Sequence, residues 1–204
     1  MSRFYLDLGV KPGDRVLWCG QNSCQVVAAG HAARKAGAIS VPLNYRLSDD
    51  EAAFVIDNYD AQVAFVDAEF AALFSRVAQR TPRLRTVLVF DGEPAAGQQQ
   101  AEPLLATASA EPIGIDHPPL GAMIYTSGTT GKPKGAIRQP GGNPYQAQQM
   151  ITVYGVRPGG VYITTGPLYH FGPSSFLSHA QSQGNLAALQ RQFDAQDWLR
   201  LVDK

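Results

Sequence analysis

Over residues 1–90, short apolar runs alternate with stretches whose apolar positions fall at helical spacing. Arg15-Val16-Leu17-Trp18-Cys19 follows the turn Lys11-Pro12-Gly13-Asp14 and predicts a strand. Asn22 to Ala36 predicts a helix, with Asn22 or Ser23 as N-cap and Gly37 just past its end. The inner face of that helix, Ala29, Gly30 and Ala33, is small enough for close packing on a sheet. Ala38 to Leu43 predicts the next strand. Ser48-Asp49-Asp50-Glu51 forms a capping box, because the Ser hydroxyl and the Glu carboxylate can each accept the other's free backbone N–H. Ala52, Val55, Ile56 and Tyr59 then follow at helical spacing. Gln62 to Val66 predicts a strand, Phe70, Leu73, Phe74 and Val77 one face of a third helix that stops before Pro82, and Thr86 to Phe90 a fourth strand. This alternation predicts an α/β fold of mainly parallel sheets flanked by helices.

Residues 91–119 break the pattern. They are rich in Ala, Pro, Gly and Gln and predict a surface excursion, with one short helix around Leu104 to Ala108 and a solvated loop at the Gln run. The pattern restarts at residue 120. Leu120 to Tyr125 predicts an apolar strand and Gly135 to Arg138 its returning partner. Helices are predicted over Tyr145 to Tyr154 and Ser174 to Gln181, and strands over Val161 to Thr164 and Leu186 to Leu189. Asp194 is placed to cap a last helix that carries Trp198, Leu201 and Val202 on one face.

Composition narrows the function classes. The chain has 204 residues, room for one large domain or two small ones, and 45% hydrophobic residues. Lys+Arg and Asp+Glu are both 17, so no basic field is available to hold a nucleic acid backbone. No apolar run is long enough for a transmembrane segment, and the N-terminus has no signal-peptide core. Cys19 and Cys24 make neither a disulfide framework nor a four-ligand metal site, and they read as reduced thiols of a cytoplasmic protein. His31, His117, His170 and His179 have no metal-ligand spacing, so no metal-binding residue is assigned.

The sharpest chemistry lies in Tyr125-Thr126-Ser127-Gly128-Thr129-Thr130-Gly131-Lys132-Pro133-Lys134-Gly135. Gly128 and Gly131 let the backbone bend and approach a ligand closely. Consecutive N–H groups in such a bend form an anion-binding concavity. Thr126, Ser127, Thr129 and Thr130 add neutral donors, and Lys132 and Lys134 add charge on either side of Pro133. The set suits a phosphate chain that gains negative charge as it leaves. A Walker A loop needs Gly where Thr126 stands and Ser or Thr where Pro133 stands, so that reading fails at two positions. The dinucleotide fingerprint G-x-G-x-x-G is also absent. A plain Ser/Thr/Gly linker fits poorly, because a linker seldom follows a buried strand so abruptly or ends in Lys-Pro-Lys-Gly. A phosphotransferase would need acidic metal ligands nearby, and Asp116 is the one carboxylate shortly before the loop.

Tyr125 to Gly135 resembles the phosphate-binding signature of the adenylate-forming (AMP-binding) enzymes, a superfamily that includes acyl-CoA synthetases, aryl-CoA ligases, firefly luciferase and peptide-synthetase adenylation domains. Leu8 to Val16, Lys35 to Ala38, Val41 to Leu47 with Glu51, Pro167-Leu168-Tyr169-His170 and Phe193-Asp194-Ala195 resemble further segments of that superfamily in the same order. The resemblance covers nearly the whole chain. Thr129 is more like the acyl-CoA ligases than the peptide-synthetase branch. Ala136-Ile137-Arg138-Gln139-Pro140 departs from the common ending in Thr-His or Ser-His, which leaves the contacts just after the loop open.

The resemblance implies a two-step reaction. A carboxylate attacks the α-phosphate of ATP to give an acyl-adenylate and pyrophosphate, and coenzyme A then takes the acyl group, with Mg2+ accompanying ATP. It implies that Thr126, Ser127, Gly128, Thr129, Thr130, Gly131, Lys132 and Lys134 grip the leaving phosphates, and that His170 lines the acyl end of the site. A hydrogen-bonded interior histidine is the alternative for His170. The implied substrate is a fatty, steroid or aryl acid. The implied organisation is a partial N-terminal AMP-binding domain, with 1–90 an α/β portion, 91–119 the excursion and 120–204 the phosphate-loop and acyl-pocket portion. The later segments of the superfamily, including its C-terminal domain, have no counterpart here, so the chain alone is expected to be inactive. A non-catalytic phosphate-binding or interaction domain, and a peptide-synthetase type of adenylation domain, stay open as alternatives.

Overall fold

A computed structural model describes residues 1–117, 121–126, 134–138 and 144–203. They divide into two compact units, Met1–Gly20 with Gln25–Gln139, and Gln21–Cys24 with Pro140–Lys204.

The first unit contains helix α1 (Ser2–Asp7), strand β1 (Arg15–Cys19), α2 (Cys24–Lys35), β2 (Ile39–Pro42), α3 (Asp49–Tyr59), β3 (Val63–Asp67), α4 (Ala71–Val77), β4 (Thr86–Phe90), β5 (Gln99–Gln100), α5 (Ala101–Thr107), β6 (Ala122–Thr126) and β7 (Lys134–Arg138). Its seven-stranded sheet has the order β5-β4-β3-β1-β2-β6-β7. Every neighbouring pair is parallel except β6–β7, as the strand–helix alternation predicts. The central strands β1, β2 and β3 are buried along almost their whole length. Continuous apolar runs are what a sheet covered on both faces requires.

Local chemistry sets the helix limits. α2 ends on a Schellman motif: Gly37 N–H donates to the Arg34 carbonyl at 3.1 Å and Ala38 N–H to the Ala33 carbonyl at 2.9 Å. Gly37 has φ +82°, a conformation that suits glycine. The small face of α2 is buried at Ala29 and Ala33, and the sheet beneath is tied by a hydrogen bond from Trp18 Nε1 to Ser40 Oγ at 3.2 Å. α3 opens on the expected capping box, with Ser48 N–H to Glu51 Oε2 at 3.0 Å and Glu51 N–H to Ser48 Oγ at 3.3 Å. Its inner residues Ala52, Val55, Ile56 and Tyr59 pack with Leu73, Phe74 and Val77 of α4 in one core cluster. Each such large apolar side chain contributes roughly 1.5–3 kcal/mol on burial.

The structure differs from the sequence-based expectation in four places. α1 has no sequence signal; it has no side-chain cap and is held by burial of Phe4 and Tyr5. The Gln run is not simply a loop. Gln99 and Gln100 pair in parallel with Leu88 and Val89 while their side chains stay exposed, and Gln98 Nε2 donates to the Ala71 carbonyl at 2.8 Å. α5 starts at Ala101 rather than Leu104 because Pro103 falls in its first turn, where a missing N–H costs nothing. In the second unit, the helix predicted from Ser174 starts at Phe171, with Pro173 again in the first turn.

The second unit contains α6 (Pro144–Thr152), β8 (Val161–Ile163), α7 (Phe171–Ser182), β9 (Leu186–Ala188) and α8 (Ala195–Val202). β8 and β9 pair in parallel, and α7, the crossover between them, packs on both. Asp194 caps α8 as predicted, accepting Asp197 N–H at 2.7 Å. Among the described residues, no helix is long and apolar enough to cross a membrane.

Candidate active site

β6 runs parallel to β2, so Thr126 lies at the carboxyl edge of the first unit's sheet. The chain leaves that edge after Thr126 and returns antiparallel through Lys134, and these two residues are cross-strand partners. The two ends of the signature are therefore paired strand residues, and Thr126–Lys134 is the neck of a β-hairpin. Ser127, Gly128, Thr129, Thr130, Gly131 and Lys132 lie outside the described residues.

The next pair, Tyr125 with Gly135, explains the end of the motif. A Cβ at Gly135 would stand 2.8 Å from the Tyr125 ring and would collide with the Met123 methyl. Gly135 lies on the sheet's edge strand, and the tyrosine ring covers the place where a side chain would be. Tyr125 in turn meets Tyr59 of α3 edge-on, with ring centroids 4.6 Å apart. Its hydroxyl donates to Asn58 Oδ1. The strand that feeds the loop is thus fastened to the core immediately before the loop begins.

In an open α/β sheet the crevice where strand order reverses is a common ligand site, and here it falls between β1 and β3. That crevice is packed: Cys19 is fully buried and Asp67 is 2% exposed. Burial, and then the Asp67 charge, push the Cys19 thiol well above its ordinary value. A thiol held in its neutral form is a poor nucleophile.

In the second unit, His170 holds the N-cap position of α7 with an extended backbone, at φ −87° and ψ 145°. It is exposed and lies against the buried Tyr169, with ring centroids 4.4 Å apart. The Pro167 carbonyl accepts His170 N–H at 3.1 Å, so Pro167 to His170 form a tight turn into the helix. Thr164, at the end of β8, donates its N–H to the Ala188 carbonyl at 3.0 Å, and its Oγ1 accepts Gln190 N–H at 2.9 Å.

Sequence reasoning missed Asn22 here. Of the two cap candidates for α2, Asn22 and Ser23, the helix start at Cys24 puts Ser23 at the capping position. The Asn22 carboxamide instead bonds Gly166 and Leu168. No periodicity or motif signals a partner so distant in sequence. An open depression of about 520 Å3 elsewhere in the unit, lined by Tyr154, Arg157, Val161, Phe176 and Asn185 among others, includes none of the motif residues. Among the described residues, no group of three or more His, Cys, Asp or Glu side chains is placed to hold a metal ion.

The family model of the AMP-binding enzymes matches residues 2–204. The indoleacetate–CoA ligase of Aromatoleum aromaticum is 31% identical over 192 residues, which cover 92% of this chain and 37% of that protein. The long-chain-fatty-acid–CoA ligase FadD13 of Mycobacterium tuberculosis is 27% identical over 97% of this chain and 39% of its own length. The crystal structure of ATP-bound MatB from Rhodopseudomonas palustris superposes with a TM-score of 0.81 at 23% identity, over 100% of this chain and 41% of that one. The chain thus spans about two fifths of the length of these relatives. With the signature hairpin at the sheet edge and a family match over nearly every residue, the chain belongs to the AMP-binding enzyme family.

Proposed function

We propose that this chain carries the phosphate-gripping part and one wall of the acyl pocket of an AMP-forming acid–thiol ligase, an acyl-CoA synthetase. The substrate is a carboxylic acid of the fatty, steroid or aryl class, activated by ATP to an acyl-adenylate and transferred to coenzyme A. The observation that supports this most is the hairpin neck, which pairs Thr126 with Lys134 at the carboxyl edge of the sheet. The relatives support it in their turn: one is named for indoleacetate, another for long-chain fatty acids, and both for CoA.

In this reading, Thr126, Ser127, Thr129 and Thr130 donate hydrogen bonds to the β- and γ-phosphates, and Gly128 and Gly131 let the backbone come close. Lys132 and Lys134 supply charge, with Lys134 the principal cation facing the pyrophosphate as it leaves. Donors fixed where charge develops lower the barrier most. His170, at the mouth of α7 and exposed, lines the acyl end. Mg2+ neutralises ATP phosphate charge, and no step here is assigned to it. In this reading residues 1–90 are the α/β portion, 91–119 an excursion that lends β5 and α5 to the first unit, and 120–204 the phosphate-loop and acyl-pocket portion of a partial N-terminal domain. A cytoplasmic location fits the two unbridged thiols Cys19 and Cys24.

The test is ATP–pyrophosphate exchange with a panel of carboxylates, by a protein of the relatives' full length that carries this chain. Exchange is expected with at least one fatty, steroid or aryl acid, and Lys134→Ala is expected to lower it about 100-fold or more. Unchanged turnover in Lys134→Ala refutes the role of that lysine, and no exchange with any acid refutes the ligase.

A second reading, that residues 1–204 alone form a non-catalytic interaction module, is favoured by the exposed apolar side chains of the second unit. Tyr154, Val161 and Leu186 are 60%, 62% and 68% exposed. Exchange above background by the 204-residue chain itself would exclude it.

A further inference from the structure

Asn22 has no role in the reading above, yet the residue is only 8% exposed and its side chain makes two directed bonds to one short segment. Nδ2 donates to the Gly166 carbonyl at 3.0 Å, and Oδ1 accepts the Leu168 N–H at 2.8 Å. These are the groups immediately before and after Pro167, a residue with no N–H of its own. The amide orientation follows from its partners, since a carbonyl can only accept and an N–H can only donate.

A carboxamide on so short a stem is the one side chain that can do both from a single plane. Aspartate could accept from Leu168 but would set a carboxylate oxygen against the Gly166 carbonyl. Leucine would leave both backbone groups without a partner, at a cost of roughly 1–3 kcal/mol for each buried one. The consequences run forward along the chain. Leu168 and Tyr169 are 4% and 5% exposed, and the Pro167 carbonyl holds the His170 N–H. The Ser174 N–H and Oγ both donate to the His170 carbonyl, at 3.2 Å and 2.8 Å. Once Gly166 and Leu168 are fixed, Tyr169 and His170 have little freedom.

We propose that Asn22 is a positioning residue: its carboxamide acts as a surrogate strand partner that sets the course of Gly166–Leu168 and thereby the place of His170. Its meaning for catalysis rests on the function proposed above, in which His170 lines the acyl end; its structural part does not.

The experiment compares wild type, Asn22→Leu and Asn22→Asp in a protein of the relatives' full length that carries this chain. Amide exchange at Leu168 and the NMR resonance of the His170 ring test the positioning itself. In Asn22→Leu, Leu168 is expected to exchange about tenfold faster or more, from the loss of two hydrogen bonds, and the His170 resonance to move. Asn22→Asp keeps the acceptor for Leu168 but opposes the Gly166 carbonyl, so Leu168 is expected to lose less protection than in Asn22→Leu while the His170 resonance still moves; should Asn22→Leu not fold, an unmoved His170 resonance in Asn22→Asp overturns the proposal. For activity, the KM for the carboxylate is expected to rise about tenfold with the KM for ATP unchanged, the signature of a displaced acyl wall.

A merely structural asparagine would lower the melting temperature and leave the His170 resonance and both KM values in place, and that result overturns the proposal. So does unchanged Leu168 exchange in Asn22→Leu. If the wild type activates no acid, the ligase reading falls by itself, and the two NMR readouts still decide for or against the clamp.

Discussion

The ring of Tyr125, the first residue of the signature, meets the ring of Tyr59 edge-on at 4.6 Å. Tyr59 is fully buried at the end of α3, and its hydroxyl donates to the Pro42 carbonyl at the end of β2. Three elements, α3, β2 and β6, are therefore joined through one pair of phenols at the carboxyl edge of the sheet. In the function proposed above, a grip on a departing pyrophosphate would need its donors in place beforehand, because donors that must reorganise during the reaction lose their advantage. The two tyrosines fasten the end of β6 to α3 and β2.

Removing the ring should therefore cost more than removing the hydroxyl. Tyr125→Ala is expected to lower stability by about 2–3 kcal/mol, from lost burial and the lost aromatic pair. Tyr125→Phe keeps the edge-on contact and gives up the bond to Asn58, at a cost of about 0.5–1.5 kcal/mol. Urea unfolding of the two variants measures the difference. Equal losses would mean that the hydroxyl, not the ring, holds the strand.

Gly135 is the second support. Gly135→Ala is expected to destabilise by about 1–3 kcal/mol, because the new methyl meets the Tyr125 ring and Met123 and the strands must shift. In Gly135→Ala combined with Tyr125→Ala the collision with the ring is gone, so the double variant should lose less than the sum of the singles. A double-mutant cycle in thermal or urea unfolding reads that coupling. Strict additivity would contradict the close approach.

Alkaline pH should unfold the protein through its buried phenols and thiol. Burial raises the Tyr5 and Tyr59 phenols, and burial followed by the Asp67 charge raises the Cys19 thiol, all above their unfolded values. Their contribution is fully present below the unfolded values, about 8.5 for Cys and 10 for Tyr. As pH rises past them, the unfolded state releases protons that the folded state keeps. Stability is then lost with increasing pH until the folded values are passed. Chemical unfolding between pH 7 and pH 11 should show a falling midpoint from about pH 9 upward. Cys19→Ser should flatten the lower part of that fall, and a midpoint independent of pH over the whole range would contradict the burial of these groups.

Much of the architecture was legible in the sequence because it is decided locally. The capping box at Ser48 and Glu51 needs no distant partner, and neither does the left-handed Gly37 at the end of α2 or the apolar runs of β1 to β4. The signature from Tyr125 to Gly135 was legible for the same reason: its glycines, hydroxyls and lysines lie together in the chain. What escaped was held by contacts without local pattern. α1 stands on the burial of Phe4 and Tyr5, and β5 is two glutamines whose backbone borrows order from β4. The helices predicted from Leu104 and Ser174 start three residues earlier, so that Pro103 and Pro173 each sit in a first turn, where no N–H is needed.

The sequence by itself determined the α/β alternation, the capping box of α3, the glycine stop of α2 and the groups that the signature carries, since these follow from spacing, side-chain size and residue type. Only the tertiary structure decided the register that pairs Thr126 with Lys134, that Tyr125 lies over Gly135, and that Asn22 grips the backbone on both sides of Pro167. Each of those joins groups through sheet register or buried hydrogen bonds. Such pairings depend on where the whole backbone goes, which no short window of residues contains.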